Sequence, residues 1–258
     1  ALLLHCSRAE GGEWAGVAAG LAAGPGGRLS MVMPDLPGHG LSGPWEGSGE
    51  GPGKGPGDDR RDDRGELHAL STAIAAGLAE RMAPDAPIDL IGHSFGATVA
   101  LRLALEAPGR VRSLTLIEPV LFAAARASAP AVLDALIAAQ EPFLAALDAG
   151  RCAEAAGWFH RLWGAGPALE ALPKAQRDYI VARIGLIPVM NAVLFDDAAG
   201  LLAPGRLEAL EVATLFLEGS ETPPVIAAIG DTLGARLPCL SRVRIEGAGH
   251  MLPITHPG

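Results

Sequence analysis

The sequence predicts an α/β protein: a mostly parallel, doubly wound sheet of about six strands with a helical cap inserted into it. Three observations predict this. Short apolar runs alternate with longer stretches of helical periodicity through most of the 258 residues, the pattern of parallel strands joined by helices. One such run, Ile88–Ile91, passes directly into Gly92-His93-Ser94-Phe95-Gly96 and then into a helical pattern. Finally, the stretch from about Val120 to Pro204 carries helical patterns and no strand, far more chain than a strand-to-strand crossover needs.

Taken in order, Leu2-Leu3-Leu4 is the first strand, followed after a Gly-containing turn by a helix through Trp14, Val17 and Leu21. Leu29–Met33 reads as the second strand, stopped by Pro34. From Gly43 to Gly57 glycine falls at seven of fifteen positions, and the charged run Asp58–Arg64 follows. Such a stretch cannot offset its ordering entropy by burying apolar surface, so residues 43–66 are expected to form a mobile surface loop within the core. Leu67, Leu70, Ile74, Leu78 and Met82 recur at steps of three and four, which predicts a helix. After the Ile88–Ile91 strand, a helix from Ala97 to about Glu106 ends at Pro108-Gly109. Val111–Ile117, Val212–Leu217 and Arg242–Ile245 are the remaining strands, the last two separated by a helix from about Pro224 to Leu237.

In the strand-free stretch, Ala131–Leu147 and Ala175–Ile187 carry helical patterns, and Trp158, Phe159, Trp163 and Tyr179 gather in a chain only 4% aromatic. Residues 120–204 are therefore expected to form a cap over the strand ends, with 1–119 and 205–258 as the core. Pockets of open α/β sheets lie at the carboxyl ends of the strands, so a cap there would wall the pocket.

Composition excludes some functions. With Lys+Arg 20 against Asp+Glu 29, a formal −9, the chain lacks the clustered cations that displace counterions from nucleic acid. Cys6, Cys152 and Cys239 show neither zinc spacing nor a disulfide framework, so a reducing compartment is expected. Ala1–His5 does not read as a signal peptide, and Arg126 and Asp134 break the most apolar run before it could span a bilayer. The expectation is a cytoplasmic protein, monomer or homodimer, acting on a small molecule without nucleic-acid or membrane partners.

The chemistry concentrates at Ser94. A nucleophile on a tight strand-to-helix turn projects its hydroxyl above the sheet, and flanking glycines permit that turn. The helix that follows presents backbone N–H groups toward a developing oxyanion. A serine hydroxyl also needs a base. Of seven histidines, His250 follows Gly247-Ala248-Gly249 immediately after the last strand, on the same sheet edge as Ser94. His68 and His160 fall within helical patterns, His256 has no motif around it, and His93 should point away from the nucleophile.

Leu4-His5-Cys6-Ser7, Asp35-Leu36-Pro37-Gly38-His39-Gly40, Gly92–Gly96 and Gly247–His250 together resemble the ordered landmarks of the α/β-hydrolase superfamily, across nearly the whole chain. The resemblance implies the family's sheet or a trimmed version of it, a helical cap, a Ser-acid-His triad, and no metal or organic cofactor. Because the chain begins close to its first landmark strand, about six strands are expected. The implied oxyanion donors are the backbone N–H groups of Phe95 and Ser7, with Cys6 departing from the family's usual Gly. His5, Asp35 and His39 are expected to brace loops beside the pocket. Two positions compete for the triad acid. Family members usually carry an Asp after the penultimate strand, where this chain has Gly219-Ser220-Glu221-Thr222; others place the acid after the strand following the nucleophile helix, where Glu118 stands. Glu118 is preferred, because a carboxylate closing an apolar strand needs a partner such as a histidine. Glu221 is the alternative, and Asp231 a further one. The expected activity is hydrolysis of a carboxylic ester. A thioesterase or lactonase would use the same residues, a hydroxynitrile-lyase-like enzyme would use them for proton transfer, and a non-catalytic ligand sensor could share the scaffold.

Overall fold

In the computed structural model, residues 1–24, 29–45 and 65–258 are described. Most of the expected 43–66 loop lies outside the described residues. The elements run β1 (Leu2–Leu4), α1 (Ala15–Ala23), α2 (Glu66–Met82), β2 (Ile88–His93), α3 (Phe95–Glu106) and β3 (Val111–Ile117). Six helices follow: α4 (Phe122–Ser128), α5 (Pro130–Asp148), α6 (Cys152–Trp163), α7 (Lys174–Arg183), α8 (Leu186–Val189) and α9 (Asn191–Leu194). The chain closes with β4 (Ala213–Gly219), α10 (Pro224–Arg236), β5 (Leu240–Ile245) and α11 (Leu252–Thr255).

The strands form one parallel sheet in the order β1-β2-β3-β4-β5. Among the described residues it has five strands, where about six were expected. The missing one is Leu29–Met33, which contributes a single parallel bridge, Leu2 to Val32. Val32 accepts from the N–H of Leu3 and donates to Ala1 O, and there the pairing stops. Pro34 follows two residues later, cannot donate to a ladder, and pushes the chain into the turn that begins at Asp35. The segment still fixes the topology. The chain leaves β1, touches the outer edge at Val32, and returns across β1 to β2, so the winding reverses beside β1.

Alternation along the strands feeds two apolar layers, one on each face. Leu2, Leu4, Leu90, Leu114, Leu116 and Phe216 pack with α3 and α10. On the opposite face Leu3, Ile117 and Leu217 meet Trp14, Ala248 and Leu252. Helix α3 is buried along most of its surface, only Arg102, Leu105 and Glu106 being partly or fully exposed, and is apolar nearly all round, as a helix between sheet and neighbour must be. Helix α2 matches the predicted span, but the face it buries is Leu67, His68, Ser71, Thr72, Ala75 and Ala79, while Leu70 is 41% exposed. Small side chains let α2 approach α3 closely, and His68 reaches Thr98 Oγ1 at 3.2 Å across that seam.

Between β3 and β4 the chain is helical throughout its regular structure. Helix α4 joins the main core, whereas Phe143, Ala146, Ala155, Ala156, Ile180 and Ile184 of α5–α7 form a separate apolar cluster. Helix α5, 19 residues at mean hydropathy 1.3, is long and apolar enough to cross a membrane by length and composition. The sequence predicts that Asp134 breaks that run, but even with Glu141 and Asp148 beside it the mean of so alanine-rich a helix stays high. Its stripe Leu133, Leu136, Phe143 and Ala146 is buried inside the protein.

Candidate active site

Ser94, Glu118 and His250 each follow the carboxyl end of a strand. Ser94 comes directly after β2, with φ 55° and ψ −117°, a region that strains any residue with a side chain. The turn survives because its neighbours have no Cβ. One placed on Gly92 would sit 2.4 Å from the carbonyl oxygen of Gly96, and one on Gly96 would sit 2.2 Å from that of Leu4. Ser94 N–H donates to Ile117 O on β3 at 2.9 Å, which pins the turn to the neighbouring strand.

His250 arrives on the loop after β5. Its Nε2 lies 3.0 Å from Ser94 Oγ, and its Nδ1 donates to Glu118 Oε2 at 3.0 Å. Its ring stands edge-on to Trp163 of α6, with centroids 4.7 Å apart. Burial lowers the imidazole's proton affinity; Glu118 opposes this, and the charges of His93 and Arg8 add to it.

Glu118 comes directly after β3, with φ 50°, and is fully buried. Its carboxylate is matched by three donors: Gly219 N–H to Oε1 at 2.7 Å, and the Thr222 hydroxyl and His250 Nδ1 to Oε2. Gly219 must be glycine, since a Cβ there would lie 2.0 Å from Ala248 O. The structure thus brings Ser94, His250 and Glu118 together and leaves the other two acids apart. Glu221 is exposed at the surface, and Asp231 is occupied by Arg242 at 2.6 Å. Thr222, at the position where an acid was sought after the penultimate strand, instead donates to Glu118.

Ser7 lines the same cavity as Ser94 and His250, and Phe95 opens α3, so its N–H has no helical acceptor. His5 is fully buried and neutral: burial lowers its proton affinity, Nδ1 donates to Cys6 O at 2.7 Å, and Nε2 accepts Leu36 N–H at 2.8 Å. Asp35 accepts from Gly11 and Leu41 N–H, both at 2.7 Å, and so closes the turn beside the site. His39 sits edge-on to His5 and is pushed down to about 4 by burial. His160 bonds Pro167 O and His256 is exposed, so neither enters the site. The three cysteines are free.

Sequence reasoning missed what lies beneath. His93 turns away from Ser94, as expected, but into a function of its own. It donates from Nδ1 to Glu13 Oε1 and from Nε2 to the carbonyl of His250, both at 2.8 Å. A ring donating from both nitrogens is an imidazolium. Burial alone would lower its proton affinity, but Glu13 outweighs that and the net shift is upward. Glu13 also receives Cys6 N–H at 3.3 Å. One buried ion pair therefore ties the base's loop to the Cys6–Arg8 loop. The only sequence signal was a carboxylate between two glycines and a tryptophan, its partner 80 positions away.

The cavity above Ser94 is walled by Phe122 and Trp163, by Ile187, Met190, Leu194 and Phe195 from the α8–α9 region, and by Arg8, with Gln140 and Asn191 as its neutral polar groups. Against known proteins, the model of a family described as "Alpha/beta hydrolase family" matches residues 1–258. The chain is similar to the dihydrolipoyllysine-residue acetyltransferase component of the acetoin cleaving system of Cupriavidus necator, 33% identical over 96 residues, 36% of this chain and 20% of that protein. It is also similar to lipase LipV of Mycobacterium tuberculosis, 31% identical over 113 residues, 44% of this chain and 36% of the lipase. The matched stretches thus span only a fifth to about a third of these curated relatives. Among solved structures it is similar to the 2-hydroxy-6-oxo-6-phenylhexa-2,4-dienoate hydrolase of a Rhodococcus species, with TM-score 0.69, 21% identity, and coverage of 99% of this chain and 85% of that one. At that identity the likeness is one of fold.

Proposed function

The chain belongs to the alpha/beta hydrolase family, and on that premise we propose that it hydrolyses a carboxylic ester, or a related acyl bond, through a Ser94–His250–Glu118 triad. One observation carries the reading: an unbroken line of hydrogen-bond contacts, 3.0 Å from Ser94 Oγ to His250 Nε2 and 3.0 Å from His250 Nδ1 to Glu118. Glu118 selects the tautomer in which Nδ1 is protonated and Nε2 is free to accept. As Ser94 Oγ attacks the acyl carbon, Nε2 takes its proton, and the imidazolium so formed is steadied by the carboxylate. The tetrahedral oxyanion is received by the N–H groups of Phe95 and Ser7. Collapse passes the proton to the leaving alcohol and leaves an acyl-enzyme. Water, deprotonated by the same Nε2, then releases the acid. No step calls on a metal or an organic cofactor.

The helical segment 120–204 serves in this reading as the cap, and its apolar wall favours a small or medium hydrophobic acyl or alcohol portion. Ser94→Ala should lower kcat on p-nitrophenyl esters by roughly 10⁴-fold or more, the scale of triad deletions elsewhere. The wild-type protein should also release an initial burst of p-nitrophenol, reporting the acyl-enzyme. A Ser94→Ala variant that keeps full activity would end the proposal; turnover without a burst would shift it toward chemistry with no covalent intermediate.

A further inference from the structure

Taking the esterase reading above as given, we infer that the substrate carries a carboxylate, held by Arg8 in the cavity that contains Ser94. Arg8 follows Ser7 at φ 74°, in the left-handed region, and its side chain lines the same cavity as Ser94 and His250. Its guanidinium lies over the ring of Phe159, 4.4 Å from the centroid, which covers one face of the group. Its Nε is buried without a partner, and among the described residues no carboxylate pairs with it. The side chain is partly buried, and that burial lowers its pKa to about 10.

A partly buried cation without a counter-ion is unfavourable, and stacking on Phe159 offsets only part of the cost. The unpartnered Nε is one arm of the guanidinium's donor fork, the edge that fits a carboxylate in a two-bond geometry. Among the described residues, and apart from His250, Arg8 is the only basic side chain in the cavity wall. One fixed positive charge suits a single negative one, so a carboxylate fits better than a dianionic phosphate ester. The formal charge of −9 over the whole chain would not draw an anion in, which leaves its recognition to Arg8. The reaction is then hydrolysis of a carboxylate-bearing ester. Water adds across the acyl C–O bond, the alkoxide oxygen leaves with the proton that His250 carries, and the acyl part departs as an acid.

The test compares matched pairs of esters on the wild-type protein: mono-p-nitrophenyl glutarate against p-nitrophenyl valerate, and 4-acetoxybenzoate against phenyl acetate. These place the carboxylate on the acyl side and on the alcohol side in turn. A kcat/KM at least tenfold higher for the charged member of either pair supports the inference, as does loss of that ratio in Arg8→Leu with partial retention in Arg8→Lys. Equal or inverted ratios in the wild-type protein, with neutral esters turned over and Ser94 labelled by a fluorophosphonate, overturn the inference while the esterase reading stands. If no ester is turned over and Ser94 stays unlabelled, both fall. The wild-type ratio decides by itself should Arg8→Leu not fold.

Discussion

At the scale of single residues, the triad acid is the sharpest commitment. Glu118 holds His250 Nδ1 in a fully buried site, whereas Glu221 faces solvent. Glu118→Gln keeps the shape but presents an amide to Nδ1, so the imidazole settles in the wrong tautomer. Loss of kcat should approach 10⁴-fold, as for the equivalent change in one well-studied protease, and Glu221→Gln should stay within a few-fold of wild type. Steady-state assays of the two variants side by side check this, and a larger loss at Glu221 would contradict it. Ser94 and His250 were legible in the sequence because each sits in a local pattern, glycines around a strand end, that has a steric reason. Glu118 was legible because a carboxylate closing an apolar run needs an explanation. Glu13, Thr222 and Arg8 were not, since the role of each depends on groups brought near only by folding.

At the scale of elements, periodicity located the strands and helices but misjudged two of them. The Leu29–Met33 run has a strand's composition and only a bridge's pairing, because Pro34 and the Asp35 turn remove the chain from the edge. In α2 the regular leucine stripe marks a helix, yet the buried face is the one with small residues. Burial followed the partner's shape, which no single-element pattern contains. One tight joint between elements is the crossing of α3 over β1 at Gly96. Gly96→Ala would push a methyl into the backbone oxygens of Leu4 and His5, which lie 2.2 and 2.6 Å from an ideal Cβ. Neither is the end of a flexible side chain, so α3 must move. The expected loss is about 3 kcal/mol of stability, at the upper end for overpacking, with activity falling as the Ser94 turn is displaced. Urea unfolding and an ester assay on the same sample measure both; a variant of wild-type stability would show that the crossing is looser than described.

At the scale of the molecule, the buried Glu13–His93 pair couples stability to pH. Burial would raise the Glu13 carboxyl, but His93 outweighs it and the net shift is below the ordinary value of 4.5. His93 is shifted above its ordinary 6.5. A lowered acid contributes fully above 4.5 and loses its contribution as pH falls through the folded value. A raised base contributes fully below 6.5 and loses its contribution as pH rises through its folded value. The pair is therefore worth most between about 4.5 and 6.5. Glu13→Gln should cost about 3 kcal/mol in that interval, the cost of stranding a buried charge, and less on either side. Chemical denaturation of both proteins at a series of pH values tests this; a gap that stays constant with pH would show the pair to be uncharged.

The hydrogen bond from Ser94 to Ile117 has a consequence for where error can enter the machine. Ile117 is the residue just before Glu118, so the Ser94 turn and Glu118 both hang from the carboxyl end of β3, and whatever shifts that strand end carries both with it. Only the imidazole comes from elsewhere, on a loop anchored through its own carbonyl to His93. Misalignment of the proposed triad is thus a one-variable problem, the height of a single ring between two rigid posts, and damage anywhere in the sheet should be read out there first.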